Sequence, residues 1–438
     1  EMLCRLLLAL VATTAVVSAD RVLVLLDQMA IRETHSIFFK QIADRGHTLT
    51  YKSSDDSSLA LLKFGELVYE HLIVFAPSTD EFGGTVTANE IAKFVDAGGN
   101  VLLAGSGSNL GSAIRDVAAD AGFEFAETLI DHVNYDAKLD AGQHTTVVID
   151  SKKQLIDAPL IVGDRKKLGP LLFSGGALVP STHNRLRIDL LKASSTAYSA
   201  DPTKPIKGYP NAVGKSAVLI SAVQARNNAR IVISASVDLF SNAFVQAQVA
   251  KEGESAVASG NLALITAVSQ WALKETGVLR VTKVEHHKKG EKTPPREYTI
   301  TEDVDYAINV EELKGGKWVP FAGKDVQLEF VRIDPFVRTT LKNSNGRLSA
   351  HFKLPDVYGV FKFLVDYRRL GYTHLYDSQQ VSVRPLWHTQ YERFIRSAYP
   401  YYASSFSMMV GLILFSCAFL YHKSAPISAA VGGGKKNN

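Results

Sequence analysis

The sequence predicts an α/β doubly wound domain, then an antiparallel β-sandwich, then a single C-terminal membrane helix. Three observations carry this. Short apolar strands alternate with helical segments from Arg21 to about 278. From 279 to 384 the texture changes to β-branched and aromatic runs separated by turn residues. From Ser397 to Tyr421 no Asp, Glu, Lys, Arg or His occurs, and about 20 such residues cross a hydrocarbon core.

The first segment reads as a secretory signal peptide over 1–19. Arg5 supplies the basic start, 6–17 the apolar run, and Val17-Ser18-Ala19 the small residues of a cleavage site, so the mature chain is expected to start at Asp20. The α/β domain is assigned 20–278. Its strands are expected at 22–26, 49–51, 72–75, 101–104, 145–149, 217–222 and 230–234. Helices are expected at 31–44, 87–97, 112–121 and 256–274. The helix at 87 carries the capping box Thr87-Ala88-Asn89-Glu90 and stops at Gly98-Gly99. The stretch 157–211, with many Gly, Pro and Ser, breaks the alternation and reads as an insertion or as added strands.

The sandwich, 279–384, is built from runs at 306–310, 326–333, 347–354, 360–367 and 375–383, with turns at 314–317, 343–346 and 370–371. The cluster His286-His287-Lys288-Lys289 is expected in a solvated hairpin loop. In the juxtamembrane segment 385–398, Trp387, Tyr391, Phe394 and Ile395 recur at helical spacing, which predicts a short amphipathic helix on the membrane surface. The membrane helix is assigned 399–421, with Tyr399, Tyr401, Tyr402 and Tyr421 at its two edges. Ser404, Ser407, Gly411 and Ala418 share one stripe, small residues of the kind that let membrane helices pack closely. A short tail, 422–438, follows. Its Lys435-Lys436, fourth and third from the end, match a dilysine retrieval signal of the endoplasmic reticulum. A cleaved leader and one terminal span predict a single-pass type I protein of that membrane, with its body in the lumen.

Composition excludes several classes. The chain has 438 residues with 48 basic against 44 acidic, a net charge of +4, which argues against a nucleic-acid binder. Its 2 cysteines, Cys4 and Cys417, both lie in apolar terminal runs. The body between them therefore has no disulfide, thiolate metal site or cysteine nucleophile. No His-Glu-x-x-His or other metal-spaced cluster occurs, and neither metal nor cofactor is expected. No Asn heads an Asn-x-Ser/Thr triplet, so the chain offers no N-glycan acceptor.

One stretch could hold a ligand. Gly105-Ser106-Gly107-Ser108-Asn109-Leu110-Gly111 follows a strand and opens a helix, where backbone N–H groups can cradle an anion. Its spacing misses the dinucleotide fingerprint by one residue. Asp27 and Asp80 follow the first and third strands, whose ends converge on the same crevice in a doubly wound sheet. The candidate crevice is thus Asp27, Asp80, Gly105, Ser106 and Gly107. Turn and cap duties explain the same residues, and no catalytic residue is assigned.

Ordered motifs along the chain carry a resemblance. They are 18–27 (Ser-Ala-Asp-Arg-Val-Leu-Val-Leu-Leu-Asp), Thr34-His35-Ser36 with Phe38-Phe39, and Arg45-Gly46-His47. Leu239-Phe240-Ser241-Asn242-Ala243, Asn345-Gly346, Pro355-Asp356-Val357-Tyr358-Gly359, Arg384-Pro385 and the terminal span with Lys435-Lys436 continue the series. Together they resemble the 48-kDa-subunit family of the eukaryotic oligosaccharyltransferase. The resemblance implies a flavodoxin-like N-terminal half and a non-catalytic subunit of the complex that moves glycan from a dolichol-linked donor to nascent Asn. It implies as partners the catalytic subunit, ribophorin I, ribophorin II and the defender-against-cell-death subunit. The catalytic subunit of that complex carries a Trp-Trp-Asp motif, whereas Trp271, Trp318 and Trp387 stand apart here. The alternative is a lumenal module whose crevice binds the dolichol-linked oligosaccharide itself or another glycan.

Overall fold

The computed structural model describes residues 20–423 except 127, 137, 141, 182, 183, 207, 250–255 and 394. The predicted leader 1–19 and the Lys435-Lys436 pair lie outside the described residues.

The first domain is built on a nine-stranded mixed sheet. One half is parallel, in the spatial order Thr48–Ser53, Arg21–Leu26, His71–Phe75, Asn100–Ala104, Arg230–Ser234. The strands Arg21–Leu26, His71–Phe75 and Asn100–Ala104 are almost continuously apolar and buried, as strands covered on both faces must be. The other half is antiparallel. Arg230–Ser234 follows Val218–Gln224 after a tight turn in which Ala225 N donates to Ala229 O, and a connection that short can only reverse the chain. Leu178–Pro180 and Arg187–Lys192 also join here, so residues from 157–211 extend the sheet. The sheet is therefore less parallel than the strand–helix alternation predicts.

Helices cover the sheet in pairs, Ala88–Asp96 beside Ser112–Asp120 and Ser36–Asp44 beside Asn261–Ala272. Thr87 caps the first of these, accepting from Glu90 N, and Gly98 ends it at φ +103°. Three expected elements differ. The helix over 31–44 is two, Ile31–Thr34 and Ser36–Asp44, because the buried His35 breaks the ladder: its Nε2 donates to Val237 O at 3.2 Å while Nδ1 faces the Thr34 hydroxyl at 2.9 Å. The helix at 256–274 spans only Asn261–Ala272; Val257–Ala258 pairs as a short strand with Gln248–Val249. The strand expected at 145–149 is Val147–Ile149, and it pairs with Leu171–Phe173 outside the main sheet.

The second domain is a sandwich of two five-stranded sheets. One contains Thr276–Lys288, Asp303–Lys314 and Arg347–Lys353; the other contains Gln327–Val331, Gly359–Tyr367 and Leu375–Arg384. All these pairs are antiparallel, and a short parallel pair, Tyr298–Thr299 on Val383–Arg384, closes one edge. Their inner faces meet through aromatic rings: Tyr306 packs on Phe363 at 5.3 Å and Phe352 on Phe330 at 5.9 Å. His286-His287-Lys288 is not a loop. It ends the long strand Thr276–Lys288, where His286 stacks on Phe363 at 5.2 Å and its Nδ1 bonds the Tyr298 hydroxyl.

A buried cation joins the domains. Arg230, 0% exposed, donates to Trp271 O (2.7 Å), Thr276 O (2.8 Å), Gly277 O (3.3 Å) and Gly371 O (3.3 Å), with its guanidinium 4.6 Å from the Trp271 ring. Trp271 Nε1 donates to the same Gly371 carbonyl. Burial pushes the Arg230 guanidinium down to about 9.

The juxtamembrane segment holds two 3-10 turns, His388–Gln390 and Arg396–Ala398, in place of the expected amphipathic helix. Pro400 lies at the start of the following helix, and a helix continuing back through 396 would clash with its ring. The last element, Tyr399–Tyr421, has 23 residues and every side chain exposed. It is long and apolar enough to cross a membrane, and its most apolar 18-residue stretch has a mean hydropathy of 1.9.

Candidate functional site

The predicted crevice lies where the parallel strands end. Asp27 directly follows the first strand, and its carboxylate accepts from Ser78 N (2.8 Å), Ser78 Oγ (2.7 Å) and Thr79 Oγ1 (2.6 Å). Thr79 Oγ1 also lies 2.8 Å from Ser54 Oγ. Asp80 accepts from Ser112 N at 3.2 Å, and its carbonyl accepts from Ser112 Oγ at 2.8 Å, which caps the helix Ser112–Asp120. The structure thus brings Asp27, Asp80 and the 105–111 loop to one edge. Both Asp27 oxygens, one Asp80 oxygen and the Gly105 and Gly111 N–H groups are engaged by the chain itself.

The glycines of that loop are filled by packing. A Cβ on Gly105 would stand 2.5 Å from the Phe125 ring, and one on Gly107 would stand 2.6 Å from Gly176 N. At Gly111 it would meet Thr79 O at 1.9 Å. Ser106 Oγ accepts from Ser108 N at 3.4 Å, and among the described residues no imidazole or carboxylate bonds it, so it lacks the base a nucleophile needs. The Gly111→Ala variant is expected to lose about 2–3 kcal/mol of stability, since backbone meets backbone and neither can give. Thermal unfolding of the full chain in detergent checks it; an unchanged unfolding temperature would mean the loop rearranges freely.

A second polar cluster lies at the opposite end of the same strands, and no single sequence motif joins its members. His71 begins the third strand, Asp20 precedes the first, and His47 precedes the second. Asp20 Oδ2 lies 3.5 Å from His71 Nε2 and 3.9 Å from His47 Nδ1. His47 Nε2 donates to Glu275 at 2.9 Å, and Arg45 Nε lies 3.3 Å from the same oxygen. Three such donors close together could suit a cation. Asn100 decides against that geometry. Its Oδ1 accepts from Arg230 N, so its NH2 faces His71 Nδ1 at 3.1 Å, and Nε2 must then carry the hydrogen that points at Asp20. A cation at that point would face an N–H, so the arrangement works as a hydrogen-bonded tie between strand starts and the end of helix Asn261–Ala272. Arg45-Gly46-His47 stood among the quoted motifs, but nothing local shows that His71 and Glu275 meet it.

Burial holds several imidazoles neutral. Desolvation pushes His71, His35 and His286 below the ordinary value of about 6.5, and at His71 it outweighs the Asp20 carboxylate. Each depressed pKa contributes stability that is fully present above about 6.5 and is lost as pH falls toward the folded value. Unfolding temperature is therefore expected to drop between pH 7.5 and pH 5, as a buffer series would show. A flat profile would place these rings in water.

In the membrane helix Ser404, Ser407, Gly411 and Ala418 fall on one side, with Ser407 Oγ donating to Ser404 O at 2.8 Å and open space beside Gly411.

Comparison with known proteins matches the two domains separately. A model described as the OST48 N-terminal domain matches residues 13–275, and one described as the OST48 middle domain matches 286–423. The chain belongs to the OST48 family. A Caenorhabditis elegans member, named dolichyl-diphosphooligosaccharide--protein glycosyltransferase 48 kDa subunit, is 59% identical over 428 residues, covering 96% of each chain. Members with the same name from Danio rerio (54%, 93% of each chain) and Drosophila melanogaster (53%, 98% of each chain) are similarly close. The OST48 middle-domain match includes the membrane helix and the sandwich, so family membership extends over nearly the whole body described above.

Proposed function

We propose that this OST48-family chain is a non-catalytic subunit of the endoplasmic-reticulum oligosaccharyltransferase, holding other subunits in place for N-glycosylation of nascent proteins. Its relatives' shared name supports the complex. The observation that supports a non-catalytic role is the occupied crevice: the Asp27 carboxylate is taken up by Ser78 and Thr79, the glycine gaps are filled, and among the described residues no imidazole or carboxylate bonds Ser106. The spatial order of the parallel half, with the second strand outermost beside the first and the later strands following, supports a flavodoxin-like reading of the first domain. The exposed apolar helix supports a single membrane anchor. With the predicted leader ahead of Asp20 the topology is type I with the body in the lumen, and the family resemblance supports the catalytic subunit, ribophorin I, ribophorin II and the defender-against-cell-death subunit as its partners.

The test is purification of the intact chain from microsomes in mild detergent with mass spectrometry of what accompanies it. Recovery with a polytopic glycosyltransferase and the ribophorins in fixed ratio is expected. Recovery as a lone monomer would end this reading. Asp27→Asn should leave transfer by the assembled complex unchanged; loss of transfer with assembly intact would point instead to donor binding in the crevice.

A further inference from the structure

We infer that the junction of the two domains carries a docking groove for an acidic segment of a neighbouring subunit, an inference that rests on the assembly reading above. A cavity of about 740 Å³ opens between the end of Val218–Gln224 and the loop 368–374 of the sandwich. Arg185, Arg187 and Arg226 line it from the first domain, Arg368 and Arg369 from the second, and among the described residues no carboxylate lines it.

The charge is only partly answered. Asp189 lies 3.6 Å from Arg187 but is shared with Lys192 at 3.1 Å. Asp366 pairs with Arg368 at 3.0 Å and also with His374 at 2.8 Å, and Asp325 pairs with Arg369 at 2.7 Å. Arg185 and Arg226, both exposed, have no ion pair among the described residues. Guanidinium forks match carboxylates bidentately, and arginines held in a concave site contribute strongly to interfaces.

Two features favour a peptide over a bare phosphate. The volume falls within the about 300–1,000 Å³ that takes drug-sized ligands, far more than a phosphate fills. Exposed Leu186 and Leu370 lie among the arginines, so the complementary surface carries carboxylates together with an apolar side chain. The floor is preformed: Gln224 Nε2 donates to Tyr372 O at 2.9 Å, and His374 N donates to Asn228 Oδ1 at 2.8 Å. Binding there would bridge both domains without rearranging either.

The experiment places a photoreactive benzophenone side chain at Leu370 in the full chain in microsomes, irradiates, and identifies the attached segment by mass spectrometry. Expected is a segment rich in Asp and Glu from one subunit of the complex. Its yield should fall about 10-fold in the pair Arg185→Glu with Arg226→Glu, fall less in the corresponding Gln pair, and drop at high salt. Both arginines are exposed, and protease resistance of the lumenal body confirms folding. A segment without acidic residues, or a yield indifferent to charge reversal, overturns the inference. So does the absence of attachment, whether or not inorganic pyrophosphate binds saturably at the arginines; saturable binding lost on charge reversal would assign them to a phosphate ligand. Co-purification of the unsubstituted chain with the complex is scored separately, so failure of the groove and failure of the assembly reading are told apart.

Discussion

Replacing Arg230 with Ala is expected to destabilise the protein by about 3–5 kcal/mol, more than any exposed charge in the chain. The side chain is 0% exposed and serves four carbonyls, those of Trp271, Thr276, Gly277 and Gly371. Truncation opens a cavity beside these acceptors; Trp271 O, Gly277 O and Gly371 O keep Lys274 N, Thr373 N and Trp271 Nε1 as donors, while Thr276 O loses its side-chain donor. The Trp271 ring loses its cation as well. Because three of the carbonyls lie at or after residue 276, the loss falls on the contact between domains. Unfolding of the full chain should split into two transitions, where the unaltered protein shows closer coupling. Arg230→Lys keeps the charge but cannot reach four acceptors with one ammonium group, so it should recover only part of the loss. Intrinsic fluorescence and limited proteolysis read the two transitions. A single transition at the original temperature in Arg230→Ala would show that the carbonyls find other donors and that the junction does not depend on this residue.

The second large effect is at the membrane helix. Arginine at a helix centre costs about 2.5–3.5 kcal/mol on insertion scales, so the pair Leu412→Arg with Leu414→Arg opposes insertion twice over. Both leucines are exposed, 66% and 64%, so the two domains should fold as before. The expected outcome is a chain that moves from the carbonate-resistant membrane fraction to the soluble fraction with its proteolytic pattern unchanged. Continued resistance to carbonate would show that something other than this helix holds the chain on the membrane.

How much was readable in the sequence depends on how far apart the cooperating residues lie. The strands at 22–26, 72–75 and 101–104 are apolar on both faces, and continuous burial follows from composition alone. Thr87 and Gly98 bracket their helix through contacts within three or four residues, so its limits were legible to within one residue. His35 was not: its helical neighbours favour one unbroken helix, and the break depends on Val237 O, 202 residues away. His286-His287-Lys288 looked like a polar loop because its apolar partners, Tyr298 and Phe363, come from elsewhere in the sandwich. The amphipathic spacing over 385–398 was real as a pattern, and Pro400 kept it from becoming a helix continuous with the span.

The sequence by itself determined the membrane helix, the two-part body and the family resemblance, because each depends on residue type and local order. Tertiary structure alone decided what the chemistry-bearing residues do. Asp27 and the 105–111 glycines read mainly as turn and cap residues with a ligand site as the lesser alternative, and it is Ser78, Thr79 and Phe125 that occupy them. Arg230 reads as an ordinary polar start to a strand until carbonyls from four separate positions converge on it. The physical reason is the same in each case. Burial and hydrogen bonding are set by which distant segments share a volume, and local composition does not encode that juxtaposition.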